Sequence, residues 1–323
     1  MTRSGYLPLI AQLGPLDLAQ VARWALVAVV VLVLALACVV MARRFGAKMW
    51  QRRRERLILQ SRNVLLGVLT DDSVDPEAVE ILAGLPDRAW RACEPTVVAM
   101  LGKVRGASHD ALVRVLVQRG TLRRAEKGAS SRSSVRRCRA VEMLGAACHR
   151  PSLAVIEALL QDGSPEVRQV AARAMGRIGS ASSAWPLLAA SVGARRLPPR
   201  DVASALVLLE ADATEHIVGA VARSRDPGVR VIGAEVLGLR GAVGAAGLLV
   251  AMLDQDQGPE VHVSVARALG RLGVPVAARP LARALESSSE EMRAAAARAL
   301  GQLGSAESVA RLLGCRCRDG GSV

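Results

Sequence analysis

A thirteen-residue phrase recurs along this chain. Residues 167–179 read VRQVAARAMGRIG, residues 261–273 read VHVSVARALGRLG, and residues 292–304 read MRAAAARALGQLG. Weaker copies end at Gly145 (RCRAVEMLG) and Gly238 (RVIGAEVLG), and a degenerate one (ASALVLLEA) lies around Val207. Gly145, Gly176, Gly238, Gly270 and Gly301 are separated by 31, 62, 32 and 31 residues, so six units of about 31 residues fill residues 134–313. A period of this length is the mark of a stacked repeat architecture. Within one unit, Val167, Val170, Ala171, Ala174, Met175 and Ile178 form a single helical stripe rather than the alternation of a strand. Pro165 suits a first helical turn and Gly179 a stop. A second short apolar run, Trp185 to Ala189, completes a helical pair. Such a pair cannot bury its own stripe, so units must stack on their neighbours. The alanines and the inner glycine are expected to let the two helices of a unit approach closely.

The phrase resembles the short HEAT-like repeat of phycobilin lyases, whose core is D/S-P-x-VR-x-x-AA-x-ALG-x-LG. Ankyrin's T-P-L-H phrase is absent, and the tetratricopeptide signature needs aromatics that the array lacks, since the only Tyr and Phe are Tyr6 and Phe45. The resemblance implies an all-α, right-handed α-solenoid of about six helical pairs, here preceded by a single transmembrane helix. The expected layout is a short extracytoplasmic N-terminus (1–23), the membrane helix (24–42) and a basic helical stalk (43–69). An irregular helical cap and linker (70–133), the repeat array (134–313) and a tail (314–323) follow. In the cap, Pro76, Pro86 and Pro95 are expected to start three short helices, residues 108–127 to form one more, and KGASSRSS (127–134) to be a linker.

Residues 24–42, WALVAVVVLVLALACVVMA, carry no charge. At about 1.5 Å per residue they reach roughly 28 Å, close to the ~30 Å hydrocarbon core of a bilayer. Trp24, Phe45 and Trp50 flank them as interfacial aromatics. Seven basic residues and one acid follow within residues 43–56, against Arg3, Arg23 and Asp17 ahead. That asymmetry places the repeat domain in the cytoplasm of a single-pass plasma (inner) membrane protein, with the N-terminus outside. A competing reading takes Leu36-Ala37-Cys38 as a lipoprotein signal, but Ala35 stands where a lipobox has Leu.

The net charge of +14 is concentrated ahead of the array: +7 in residues 1–56, +8 in residues 114–139, and only +2 across residues 140–323. A nucleic-acid-binding solenoid would spread its basic residues along the array, so that class is disfavoured. The two basic blocks instead suit an anionic lipid surface, through Arg43, Arg44, Arg52, Arg53 and Arg54 in the first and Arg123, Arg124, Arg136 and Arg137 in the second.

No G-x-S-x-G, HExxH, P-loop or paired-carboxylate motif occurs. The HEAT-repeat deoxyhypusine hydroxylases use His-Glu pairs to hold iron. Here none of His109, His149, His216 and His262 is followed by Glu. Cys315 and Cys317 lack a second pair to complete a metal site, and the scattered cysteines suit a reducing compartment. The expectation is a non-enzyme without cofactor, metal or small-molecule substrate. The alternatives are a nucleic-acid-binding solenoid and a bilin-lyase-like or metal enzyme. The function expected is a membrane-anchored scaffold or adaptor for protein partners, bound on a concave face built by the second helices. Trp185, His216, Arg279 and Arg283 are the candidate contacts, Trp185 first as the only aromatic of the array. The layout is similar to membrane-tethered bacterial HEAT proteins found beside membrane glycosyltransferases, which suggests cell-envelope assembly as a setting. The repeated Arg168, Arg230 and Arg293 read as structural contacts between neighbouring units.

Overall fold

The computed structural model describes residues 23–24, 26–38, 40–41, 43, 76–254 and 258–304. Residues 26–38 form a helix, α1, in which Leu26, Val30, Val33 and Leu36 all stand exposed, as do the apolar residues between them. Among the described residues no helix is long and apolar enough to cross a membrane. The stalk residues 44–69 and the tail lie outside the described residues.

Among the described residues, four helices lie between α1 and the array: α2 (Pro76–Gly84), α3 (Asp87–Leu101), α4 (Ala107–Gln118) and α5 (Thr121–Ala129). Pro76 opens α2 and Pro86 caps α3, but Pro95 lies inside α3 rather than starting a helix. Proline cannot donate to the Arg91 carbonyl one turn back; because Pro95 faces solvent, water can serve that carbonyl instead. The single helix expected over residues 108–127 is two, broken where Gly120 adopts a left-handed φ of 66°. The expected linker is a tight turn. Leu122, Ala125 and Ala129 form a buried stripe on α5 that packs against α6 (Ser134–Ala146), and Arg137 Nη1 donates to the Ser131 and Arg132 carbonyls of the intervening turn.

From α6 onward the period is plain. Its first helices are α6, α8 (Pro165–Ile178), α10 (Pro199–Val207), α12 (Pro227–Leu239), α14 (Pro259–Leu272) and α16 (Glu290–Leu303). The second helices are α7 (Leu153–Ala158), α9 (Ala184–Ala189), α11 (Ala213–Arg223), α13 (Ala246–Asp254) and α15 (Ala278–Ala284). First helices stack on first helices, and α9 and α13 pack against α11 and α15 in a second layer. Val167, Ala171, Ala174, Met175 and Ile178 of the expected stripe are buried. Gly179, Gly273 and Gly304 end their helices in the left-handed region, and in the first unit Cys148 takes that place at φ 47°.

The inner glycines do not serve the close approach of the two helices of one unit, which the sequence led one to expect; they bring the first helices of successive units together. A Cβ on Gly145 would meet Ala174 at 2.6 Å. On Gly176 it would meet the Ala205 backbone at 2.7 Å, on Gly238 Ala268 at 2.8 Å, and on Gly270 Ala299 at 2.7 Å. In every case the receiving alanine stands two residues before the glycine position of its own helix, so glycine and alanine form one row running down the array. Periodicity identifies the face of a helix but not the neighbour that covers it, which is why the sequence alone misassigned the contact.

The row is interrupted once. Val207 occupies the glycine position of α10, and α10 is correspondingly short. At this junction Arg240 reaches back from the end of α12. Its Nη1 donates to the carbonyls of Leu206, Val207 and Leu209, its Nη2 to that of Glu210, and its Nε to Thr214 Oγ1. A guanidinium thereby satisfies the carbonyls left open at the C-terminus of α10. Arg168 and Arg293 each bind two carbonyls in the turn that leads into their own helix, and Arg230 binds the Ser224 carbonyl. These turns join one unit to the next, so the repeated arginine holds unit boundaries.

Candidate functional site

Two of the four residues expected to contact a partner come together. Trp185 on α9 and His216 on α11 line one furrow of about 310 Å³, with Glu215, Gly219 and Arg223. The indole is 54% exposed although its helix neighbours Leu187 and Leu188 are fully buried. Ile217 and Leu187 hold equivalent inward positions, which places Trp185 and Glu215 at the same repeat position on adjacent second helices, two residues earlier and facing outward. Gly219 keeps the floor low, with the Arg223 guanidinium lying over it. Glu215 also lines the next furrow, about 550 Å³, with Asp212, Thr214 and Gly244. The surface thus runs from an indole, over an acidic ridge, into a valley of small residues.

Arg279 shares Trp185's repeat position, two residues before the buried Leu281, but belongs to a unit farther along. Arg283 pairs with Asp254 at 3.1 Å in a separate groove that also contains His262. The structure therefore does not gather the four residues into one site. Glu215, Gly219 and Arg223 were missed by the sequence reading; comparison of the second helices column by column would have found Glu215 beside Trp185.

The proposed membrane-facing arginines divide. Arg43 is exposed, and Arg44, Arg52, Arg53 and Arg54 lie outside the described residues. Arg123 and Arg136 are exposed on α5 and α6. Arg124 is exposed but held by Glu94 at 2.7 Å. Arg137 is not available to a surface: it grips Asp162 with two hydrogen bonds of 2.8 and 2.7 Å, in addition to the turn carbonyls. Burial pushes the Asp162 carboxyl up, but the Arg137 guanidinium and the Ser164 amide outweigh it and hold the group below its ordinary value. A count of charges along the chain cannot distinguish a solvated arginine from one already paired.

A larger cleft, about 720 Å³, lies among α3, α5 and α6, with Arg177 from the end of α8 also lining it. The sequence reading did not anticipate it. No group of three or more His, Cys, Asp or Glu among the described residues could hold a metal ion.

Stacked helical pairs, unit-boundary arginines and a glycine–alanine row define the class as an α-solenoid of short helical repeats. A HEAT-repeat profile matches residues 122–208 and 248–321, beginning on α5 and leaving unmatched the stretch that holds Arg240. The chain is a HEAT-repeat protein. No curated protein matches it. Among solved structures, human deoxyhypusine hydroxylase in complex with glycerol is similar at 15% identity and TM-score 0.30, covering 77% of this chain and 98% of that one. An engineered protein is similar at 20% identity and TM-score 0.37, covering 81% and 84%. The complex of CpcE and CpcF of phycocyanin lyase from a Nostoc species is similar at 18% and 0.30, covering 77% and 96%. At TM-scores this low these likenesses carry no argument about activity.

Proposed function

We propose that this chain is a membrane-tethered scaffold, a binding protein rather than an enzyme, whose solenoid holds a protein partner along the furrow at Trp185. A HEAT solenoid is typically a protein-interaction scaffold. The observation that carries the reading is the half-exposed indole beside an acidic ridge. A large aromatic left in water on a rigid scaffold is the group that anchors interfaces. Glu215 and Asp212 favour a partner that presents an apolar side chain to Trp185 with a basic neighbour beside it. Membrane attachment rests on α1, whose exposed apolar side chains lie within an uncharged run of nineteen residues, and on the basic excess behind it, which would keep the array cytoplasmic. Membrane glycosyltransferases of the cell envelope are the first partners to try.

The test is crosslinking mass spectrometry on the full chain in intact membranes, wild type against Trp185→Ala. Loss of a defined set of partner crosslinks at the furrow is the expected result; an identical crosslink set in both would refute the role of Trp185. Fluorescent-protein and alkaline-phosphatase fusions after the final residue test orientation. Fluorescence without phosphatase activity is expected, and the reverse, or lipidation at Cys38, would overturn the cytoplasmic placement.

A further inference from the structure

The cleft among α3, α5 and α6 has the shape of a missing helix. Along the array, the face of each first helix that looks toward the N-terminus is covered by the first helix of the preceding unit. The residue at its centre is Ala174, Ala205, Val236, Ala268 or Ala299, all buried. At the α6–α8 junction this packing leaves only about 20 Å³. The corresponding residue of α6 is Met143, two before Gly145, and it is only partly buried. Among the described residues no first helix stacks on it: α5 packs against α6 and α7, α3 touches α6, and α4 packs on α2, α3 and α5. The face covered in every later unit is here the wall of the 720 Å³ cleft.

The lining suits a helix. The α3 wall runs from Pro95 to Gly102 and the α6 wall from Arg139 to Ala146, each about two turns, or roughly 12 Å. Ala99, Gly102, Ala125, Gly128, Ala140 and Ala146 are small, as are the residues that admit close helix approach within the array. Methionine at the centre, in place of alanine, is a flexible side chain able to conform to an incoming apolar residue. The rim is basic on balance. Glu94 is neutralised by Arg124, leaving Arg139 and Arg177 against Glu142, and Arg123, Lys127 and Arg136 stand exposed on the same two helices.

We propose that this cleft seats an amphipathic helix of a second protein, with small and apolar residues along one stripe and acidic residues on its flanks. This is helix-in-groove recognition, and it makes the N-terminal end of the array a docking site separate from the Trp185 furrow.

The experiment places a photo-crosslinking amino acid at Ala99, an exposed wall residue, in the full chain in its native membrane, and maps adducts by mass spectrometry. The expected adduct lies in one segment of another protein with an apolar stripe at helical spacing and Asp or Glu beside it. Its yield should fall about tenfold in the exposed charge reversal Arg139→Glu/Arg177→Glu, because like charges would then face each other across the rim. Circular dichroism melts confirm that this variant is folded. Trp185→Ala should leave the Ala99 adduct unchanged, so failure of the furrow reading and failure of this one are distinguishable. Adducts confined to residues 44–75 of this chain, to a second copy or to lipid would overturn the proposal. So would no adduct, or a yield indifferent to the charge reversal.

Discussion

Gly176→Ala is the substitution that most directly tests how the units are joined. A Cβ at this position would stand 2.7 Å from the Ala205 carbonyl oxygen and 2.9 Å from the Ala205 Cα, about 0.7 Å short of the 3.4 Å at which ordinary contact begins. Both obstacles are backbone, so no side chain can rotate away, and α8 and α10 must separate. A gap of that size forfeits a quarter to a half of the dispersion energy of the atom pairs along the contact. Overpacking of this kind costs roughly 1–3 kcal/mol. Alanine returns up to about 1 kcal/mol through its helix propensity. The net expectation is a loss of about 1–2 kcal/mol, and Gly176→Leu should lose more. Gly233 supplies the contrast, because its added Cβ would meet one side-chain methyl, Val221 Cγ2. Gly233→Ala should therefore be partly rescued by Val221→Ala, whereas no side-chain truncation at Ala205 should rescue Gly176→Ala. Urea denaturation of the full chain in detergent, read by circular dichroism, gives these stabilities. If Gly176→Ala proved as stable as wild type or more so, the glycine–alanine row would not be the contact that joins the units.

Arg240→Ala should destabilise the array by about 2 kcal/mol, since hydrogen bonds to a charged group each contribute more than neutral ones, and Arg240→Lys should not restore the loss because an ammonium has three donors instead of a five-donor fork; the same denaturation measurement decides. Asp162→Asn should be less stable than wild type at neutral pH, with the difference shrinking as pH falls below about 4. The folded carboxyl titrates below its ordinary value of 3.8, so its contribution is fully present above that value and is lost as pH falls through the folded one. A difference independent of pH would show that the Arg137–Asp162 pair contributes nothing through its charge.

The sequence carried the architecture because a solenoid is a local fold. Each unit's stripe, its opening proline at Pro165, Pro227 or Pro259 and its closing glycine act within a few residues of one another. What lay between units was less legible. The same three letters, A-L-G, fit a glycine facing its own partner helix or the next unit, and only three-dimensional stacking chooses. Charge was legible as composition and misleading as surface: Arg137 sits in the basic block, yet it is spent on Asp162 and two carbonyls. Arg119 in the same block lies over the Trp90 ring, 5.1 Å from its centroid. Trp185 could be found because a lone aromatic in an array of Ala, Leu and Val stands out in any alignment of the units. Met143 could not, because methionine in a helical stripe reads as ordinary core until its column shows alanine or valine in every later unit. In a repeat protein, departure from the period is therefore the informative signal. Val207 marks the junction that an arginine had to repair, and Met143 marks the end of the array where no described helix repeats the packing.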